Sequence, residues 1–241
     1  MTPFSLDGQT ALVTGANTGI GQAIAVAMGR AGAHVICAGR SSCDETVAMI
    51  ESAEALTLDF ADPMAAKDVF TARRVDILVN NAGIIRREDI VDFSEADWDA
   101  VMDVNLKAAF FTCQAFARAA LPRGAGKIVN IASLLSFQGG IRVPSYTASK
   151  HGIAGLTKIM CNEWAVKGIN VNAIAPGYIE TNNTEALRAD PDRNKAILDR
   201  IPAGRWGKAD DIAETAVFLS SPAANYIHGA VLNVDGGWLA R

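Results

Sequence analysis

The 241 residues carry 22 Lys and Arg against 26 Asp and Glu, a formal charge of −4, and half of the composition is hydrophobic. That length and apolar content suit one α/β domain over residues 1–241, and the scattered cations of a chain with pI near 5.4 offer no basic face for nucleic acid. No apolar run approaches the roughly 18 residues of a membrane span, and the opening MTPFSLDG lacks the basic and apolar regions of an export signal, so a cytoplasmic protein with no membrane partner is expected.

Short β-branched apolar runs predict strands at 10–14, 34–38, 55–59, 76–80, 127–132, 170–175 and 230–234. Helical patterns lie between them at about 19–31, 62–73, 95–121, 146–167, 184–199 and 209–220, with Asp62-Pro63 and Ser94 as helix starts. Alternating strands and helices predict a Rossmann-type doubly wound parallel sheet of about seven strands. Near-continuous apolar strands further imply helices on both faces. Cys37, Cys43, Cys113 and Cys161 show no paired spacing and lie far from His34, His151 and His228, so no metal site is expected. Asn182-Asn183-Thr184 matches a glycosylation sequon, which a chain that is not exported would not use.

Gly15-Ala-Asn17-Thr18-Gly19-Ile20-Gly21 follows the first strand and opens the first helix. Glycines there let the backbone turn and approach a pyrophosphate, and the helix N-terminus presents free amides to it. Asn81-Ala82-Gly83 closes the fourth strand at the same edge, and Asp59 with Phe60 at the third is a candidate adenine contact. The second strand ends in Gly39-Arg40-Ser41, where a carboxylate would grip a ribose 2′-hydroxyl. A cation in its place can pair with a 2′-phosphate, so the local electrostatics favour NADP(H).

Ser133 precedes Tyr146 by thirteen residues, and Lys150 follows four after the tyrosine. That last spacing puts phenol and ammonium on one helix face, where the cation can stabilise a phenolate. Moving a hydride from a secondary alcohol to nicotinamide leaves a proton that a positioned base must take, and Tyr146 is the candidate. Pro176-Gly177 marks the loop after the sixth strand.

Taken together, TGxxxGxG, NNAG, Asn105, Ser133, YxxxK at 146–150 and Pro176-Gly177 resemble the short-chain dehydrogenase/reductase family along the whole chain. The resemblance implies a tetrad: Tyr146 as acid/base, Lys150 tuning it and binding the nicotinamide ribose, Ser133 orienting the substrate oxygen, and Asn105 holding a relay water. It also implies nicotinamide contacts from Ile179 and Thr181.

Substrate choice is expected in residues 134–145 and 178–206, where Gln138, Arg142, Asn182, Asn183, Arg188, Arg205 and Trp206 suit a hydroxylated carboxylate better than an acyl chain. Ile85-Arg-Arg-Glu-Asp89, the run 133–142, Asn182-Asn-Thr184, the run 198–206 and the last seven residues are similar to a narrower group of the family, the 2-dehydro-3-deoxy-D-gluconate 5-dehydrogenases, also named 2-deoxy-D-gluconate 3-dehydrogenases. That likeness implies interconversion of 3-deoxy-D-glycero-2,5-hexodiulosonate and 2-dehydro-3-deoxy-D-gluconate in uronate breakdown, by cytoplasmic homotetramers that use NAD(H). The cofactor therefore stands open between NADP(H) and NAD(H), with the local charge given the greater weight. Alternatives are a gluconate or other sugar dehydrogenase, a 3-oxoacyl-thioester reductase, or a dinucleotide-sensing module without catalysis.

Overall fold

Each apolar run divides its side chains between two helical layers, which is why the strands form the centre of the molecule. The computed structural model describes residues 3–240. Its strands are β1 (Thr10–Thr14), β2 (His34–Gly39), β3 (Ala53–Thr57), β4 (Ile77–Asn80), β5 (Gly126–Ile131), β6 (Ile169–Pro176) and β7 (Val231–Val234). All pair in parallel in one seven-stranded sheet of order β3-β2-β1-β4-β5-β6-β7. The helices are α1 (Gly19–Arg30), α2 (Asp44–Val47), α3 (Val69–Ala72), α4 (Glu95–Met102), α5 (Ala108–Ala120), α6 (Pro144–Trp164), α7 (Glu185–Ala189), α8 (Pro191–Leu198) and α9 (Ala209–Ser220).

Successive strand residues point to opposite faces. Val13, Cys37, Val79 and Val129 pack with Ile24 and Met28 of α1 and Ile212 and Ala216 of α9. Their neighbours Leu12, Ile36, Leu78 and Ile128 pack on the other side with Phe116 of α5 and Met160 of α6. A buried polar file runs beneath the carboxyl end of the sheet: Asn80 Nδ2 donates to Asn130 Oδ1 (3.0 Å), and Asn130 Nδ2 donates to Thr157 Oγ1 (3.0 Å) on α6. This file ties two central strands to the helix that carries Tyr146. Chain order reverses between β1 and β4, so a crevice opens at their carboxyl ends.

Four expectations need correction. The third strand begins and ends two residues earlier than the apolar pattern suggested. Asp62-Pro63 starts a turn, in which Asp62 Oδ1 accepts the Met64 amide (2.9 Å), and i→i+3 bonds carry the chain as far as the four-residue α3. The helix expected at 95–121 contains a π-helical turn, Asp103–Lys107, between α4 and α5. The helix expected at 184–199 is two, because Pro191 takes the first position of α8 and Asp190 caps it, accepting the amides of Asp192 (3.0 Å) and Arg193 (3.1 Å). Ser94 caps α4 as anticipated, accepting the Asp97 amide (3.1 Å). Among the described residues no helix is long and apolar enough to cross a membrane, and no group of three or more His, Cys, Asp or Glu could hold a metal ion.

Candidate active site

The cradle is built at the switch point by one hydroxyl. Thr14, the last residue of β1 and fully buried, accepts the amides of both Asn81 and Ala82 (2.9 Å each). Asn81 Nδ2 returns two bonds, to the carbonyls of Thr14 (3.0 Å) and Gly15 (3.2 Å). Gly15 has φ +64°, a left-handed conformation, and a Cβ there would meet Asn81 Nδ2 at 2.9 Å. A Cβ on Gly21 would collide with the Gly15 carbonyl. Asn17, Thr18, Gly19 and Ile20 complete the turn. Thr18 caps α1 with extended backbone and no side-chain capping bond, leaving the first-turn amides for a ligand. A backbone that only glycine permits, closed against a helix N-terminus, fits a dinucleotide pyrophosphate.

At the end of β2, Arg40 and Ser41 are exposed, and the Arg40 side chain makes no ion pair or hydrogen bond among the described residues. The space a Gly39 Cβ would take is bordered by Asn17 Oδ1 at 3.4 Å, so this cation sits beside the cradle. Asp59 is exposed beyond β3, with Oδ1 accepting the Ala61 amide (3.0 Å). Phe60 points into the core with Leu12, Ile36 and Ala38, so its ring is unavailable to a cofactor.

Asn105 sits in the π-helical turn, 2 % exposed. Its Oδ1 accepts the Ile84 amide (2.8 Å), and its Nδ2 donates to the Ile84 carbonyl (2.9 Å). It also borders Gly83, whose Cβ would lie 3.3 Å from Asn105 Oδ1. The widened turn thus places an amide between the end of β4 and α6, and π-turns recur at functional sites for this reason.

Tyr146 and Lys150 do share a face of α6, with Lys150 Nζ 5.5 Å from the centre of the Tyr146 ring. Burial raises the Tyr146 phenol above its ordinary range; the Ser133 hydroxyl and the Arg87 charge act against that rise. Lys150 is 5 % exposed and donates to the Ile131 carbonyl (2.6 Å), and burial brings its pKa down to about 8. The ammonium stands over the ring and donates to a backbone oxygen, and the Arg87 charge also favours the ionised phenol. Ser133 begins a 3-10 turn after β5, its hydroxyl accepting the Leu135 amide (3.2 Å).

After Pro176, Gly177 donates to the Val234 carbonyl (2.9 Å), and Ile179 forms an isolated bridge with Gly207. Thr181 reaches the cradle: the Cβ position of Gly19 lies 3.7 Å from Thr181 Cγ2. The segment following β6 therefore crosses the cradle and carries the lid of α7 and α8.

The lid candidates separate. Asn182 and Asn183 are exposed in a 3-10 turn above the crevice. Arg142 is committed to Glu88 Oε1 (2.9 Å) and Asp89 Oδ1 (3.0 Å), and Arg205 forks onto Asp211 (2.8 and 3.0 Å). Neither guanidinium is free for a substrate carboxylate, which corrects that expectation. Arg188 turns inward to the Thr181 carbonyl (3.2 Å). Trp206 is buried, donates to Asn194 Oδ1 (2.7 Å) and meets Tyr178 edge-on at 5.4 Å, so it is lid core and not a contact surface. Gln138 accepts from Trp238 Nε1 (3.3 Å).

Two residues have roles that the sequence pattern does not show. In the sequence, Thr14 is only the start of the glycine motif. Arg87 was read only as part of a run, yet it is exposed, makes no ion pair among the described residues, and donates to the Asn183 carbonyl (3.2 Å) while acting on the Tyr146 phenol. The adjacent Arg86 does pair, with Asp97 (3.1 Å), and nothing in the Arg-Arg pattern says which of the two is free.

A family model described as enoyl-(acyl carrier protein) reductase matches residues 15–239. The chain is 58 % identical to the 2-dehydro-3-deoxy-D-gluconate 5-dehydrogenase of Bacillus subtilis (strain 168), over 99 % of this chain and 97 % of the relative. A crystal structure of a candidate 2-deoxy-D-gluconate 3-dehydrogenase from Agrobacterium tumefaciens with bound NADP matches at TM-score 0.99 and 73 % identity, over all of both chains. A candidate NAD(P)-dependent gluconate 5-dehydrogenase from Beutenbergia cavernae, with NADP at low occupancy, matches at TM-score 0.96 and 52 % identity, over 99 % of this chain and 100 % of that one.

The lowered Lys150 pKa sets a pH dependence. An unfolded lysine titrates near 10.4 and the folded one at about 8, so between these values the unfolded chain holds more protons and stability rises with pH. Lys150→Met removes the buried charge. Its stability advantage over the unsubstituted protein at pH 7 is expected to shrink by about 2 kcal/mol by pH 10, as read by urea unfolding at both pH values.

Proposed function

The chain belongs to the short-chain dehydrogenase/reductase family, and on that premise we propose that its substrate is a deoxy-keto sugar acid, 2-dehydro-3-deoxy-D-gluconate with its oxidised partner 3-deoxy-D-glycero-2,5-hexodiulosonate. It is an NAD(P)-dependent oxidoreductase acting on a secondary alcohol or ketone. The observation that carries the substrate reading is Arg87, an exposed guanidinium with no carboxylate partner among the described residues, which bonds the lid at Asn183 and whose charge favours the ionised Tyr146 phenol. A substrate that places a carboxylate a few bonds from its reacting carbon would satisfy both groups at once, through charge-assisted bonds of the forked kind. The acyl part of a 3-oxoacyl thioester carries no carboxylate at that spacing to meet Arg87.

In this reading the cofactor, when bound, accepts or donates the hydride. Asn17, Thr18, Gly19, Ile20 and Gly21 would hold its pyrophosphate, with Gly15 closing the turn and Asn81, Ala82 and Gly83 forming the adjoining wall. Ile179 and Thr181 would meet the nicotinamide end, and Asp59 with the Phe60 backbone the adenine. Arg40 and Ser41 stand where a 2′-phosphate would sit, which supports NADP(H); the Beutenbergia cavernae neighbour is described as NAD(P)-dependent, which keeps NAD(H) as the alternative for the same cradle. Tyr146 exchanges the hydroxyl proton, and Ser133 orients the substrate oxygen beside it. Lys150 binds the nicotinamide ribose, and Asn105 positions the water that relays the proton. Asn182 and Asn183 offer the sugar hydroxyls polar partners from the lid.

We infer also a cytoplasmic homotetramer. Met102, Leu106 and Phe110 form an apolar groove with Gly152, Gly155 and Leu156 across the two long helices, and a second copy of the chain would cover it.

Three tests follow. The sugar acid is expected to drive cofactor turnover far faster than a 3-oxoacyl thioester, and Tyr146→Phe to lose about a hundredfold or more of that turnover with cofactor affinity retained. Equal rates for the two substrates refute the sugar-acid reading, and an active Tyr146→Phe assigns the proton to another group. Arg40→Ala is expected to lower kcat/KM for NADP(H) about tenfold while leaving NAD(H) unchanged, measured with both cofactors. Gly155 has open space around its Cβ position, so Gly155→Arg leaves the subunit intact; sedimentation is expected to show smaller species than for the unsubstituted protein.

A further inference from the structure

Arg142 is the one non-glycine residue with left-handed backbone among the described residues, at φ 62°. A side chain is disfavoured there and glycine would be tolerated more easily, so something other than backbone preference is served by the arginine. It stands four residues before Tyr146 in the loop that enters α6. Its guanidinium donates to Glu88 Oε1 (2.9 Å) and lies 3.0 Å from Asp89 Oδ1, and its carbonyl accepts the Glu88 amide (3.1 Å). The Arg142 side chain is 53 % exposed and that of Asp89 64 %. Ion pairs in such exposure add little stability, so stability does not account for the strained backbone.

What these bonds fix is a short strap, residues 84–89. Its near end is held by Asn105, which bonds both the amide and the carbonyl of Ile84 (2.8 and 2.9 Å). Its far end is held by Arg142. Arg87 lies between the two anchors and donates to the lid at Asn183. One anchor is thus tied to the π-turn next to the cradle, the other to the loop that leads to Tyr146, and the free cation hangs from the span.

We propose that Arg142 is a positioning residue for substrate selection: by fastening Glu88 and Asp89 to the loop before α6, it fixes the distance from Arg87 to the Tyr146 hydroxyl and thereby the spacing between the carboxylate and the reacting carbon that the enzyme accepts. This rests on the reading of Arg87 as the carboxylate receptor. Arg142 touches neither substrate nor cofactor in this account and acts through Arg87 alone.

The test uses the full-length protein with Arg142→Gly, Arg142→Lys and Arg87→Ala, assayed with 2-dehydro-3-deoxy-D-gluconate and with an uncharged secondary alcohol of similar size. Arg142→Gly relieves the backbone and can keep the Glu88 amide bond, so its melting temperature is expected to hold or rise. Its KM for the sugar acid is expected to increase about tenfold or more, with kcat changed much less and the kinetics of the uncharged alcohol unchanged. Arg142→Lys, which keeps the charge and loses the fork, is expected to fall between. If Arg142→Gly leaves the sugar-acid KM within about twofold of the unsubstituted value while Arg87→Ala raises it, the positioning role is overturned and the receptor reading survives. If Arg87→Ala leaves that KM unchanged, the receptor reading falls and the positioning role with it. A lower melting temperature with KM raised equally for both substrates makes Arg142 merely structural and also overturns the proposal.

Discussion

The site depends on the Thr14 hydroxyl accepting two backbone amides at the point where strand order reverses. β1 and β4 are neighbours in the sheet, but their paired register ends at Val13 and Val79, and beyond it the chains must diverge to open a crevice. Diverging backbones leave amides without ladder partners, and an unpaired buried amide is costly. Thr14 supplies the missing acceptor for Asn81 and Ala82, and the Asn81 side chain supplies donors for the carbonyls of Thr14 and Gly15. The opening is thereby held at a fixed width. The contact is so close that Gly15 and Gly21 can carry no side chain, and the same absence of side chains admits a pyrophosphate.

Behind that opening, the file Asn80, Asn130 and Thr157 does for α6 what Thr14 does for β4. A buried, satisfied polar chain has few alternative arrangements, because any slip leaves a group unpaired. It links the strand ends to the helix bearing Tyr146 and Lys150, whose own positions are then supported by the Ile131 carbonyl under Lys150 and by the Ser136 hydroxyl, which donates to the Lys150 carbonyl (2.7 Å). Burial pushes both the phenol and the ammonium toward their neutral forms. With its pKa brought down only to about 8, Lys150 keeps its charge at neutral pH, and Arg87 adds a second cation at the mouth.

Much of this was legible in the chain. The apolar runs located the central strands because a fully buried parallel strand must be continuously apolar, whereas the partly buried edge strand β3 lies two residues off its pattern; Tyr146 and Lys150 share a face because α6 is a regular helix from Pro144 to Trp164. The failures share a cause. Asp62-Pro63 and Asp190-Pro191 are the same dipeptide, yet one opens a turn and the other a helix, since the outcome depends on the room between the flanking elements. The π-turn at Asn105 left no mark in the periodicity of 95–121, which reads as one unbroken helix. Side-chain commitments were equally hidden: Arg142 and Arg205 looked like carboxylate receptors because their partners, Glu88, Asp89 and Asp211, become neighbours only in the fold.

The same contrast separates floor from lid. Under the crevice, the bonds are buried and mutually dependent, so opening any one exposes groups that water cannot reach without wider disruption. Above it, α7 and α8 are five and eight residues long, and the lid is tied down at its stem by Arg205–Asp211, by the Ile179–Gly207 bridge, and by the packing of Ile197, Ile201 and Trp206 against Trp238. Short helices and exposed ion pairs resist local opening weakly. The proposed proton exchange at Tyr146 would use the rigid layer, and admission of a polar substrate the weaker one. Arg87 belongs to neither alone: its strap is fastened at Asn105 and Arg142, and its guanidinium is bonded to the lid at Asn183, so the positions of lid and guanidinium are mechanically joined.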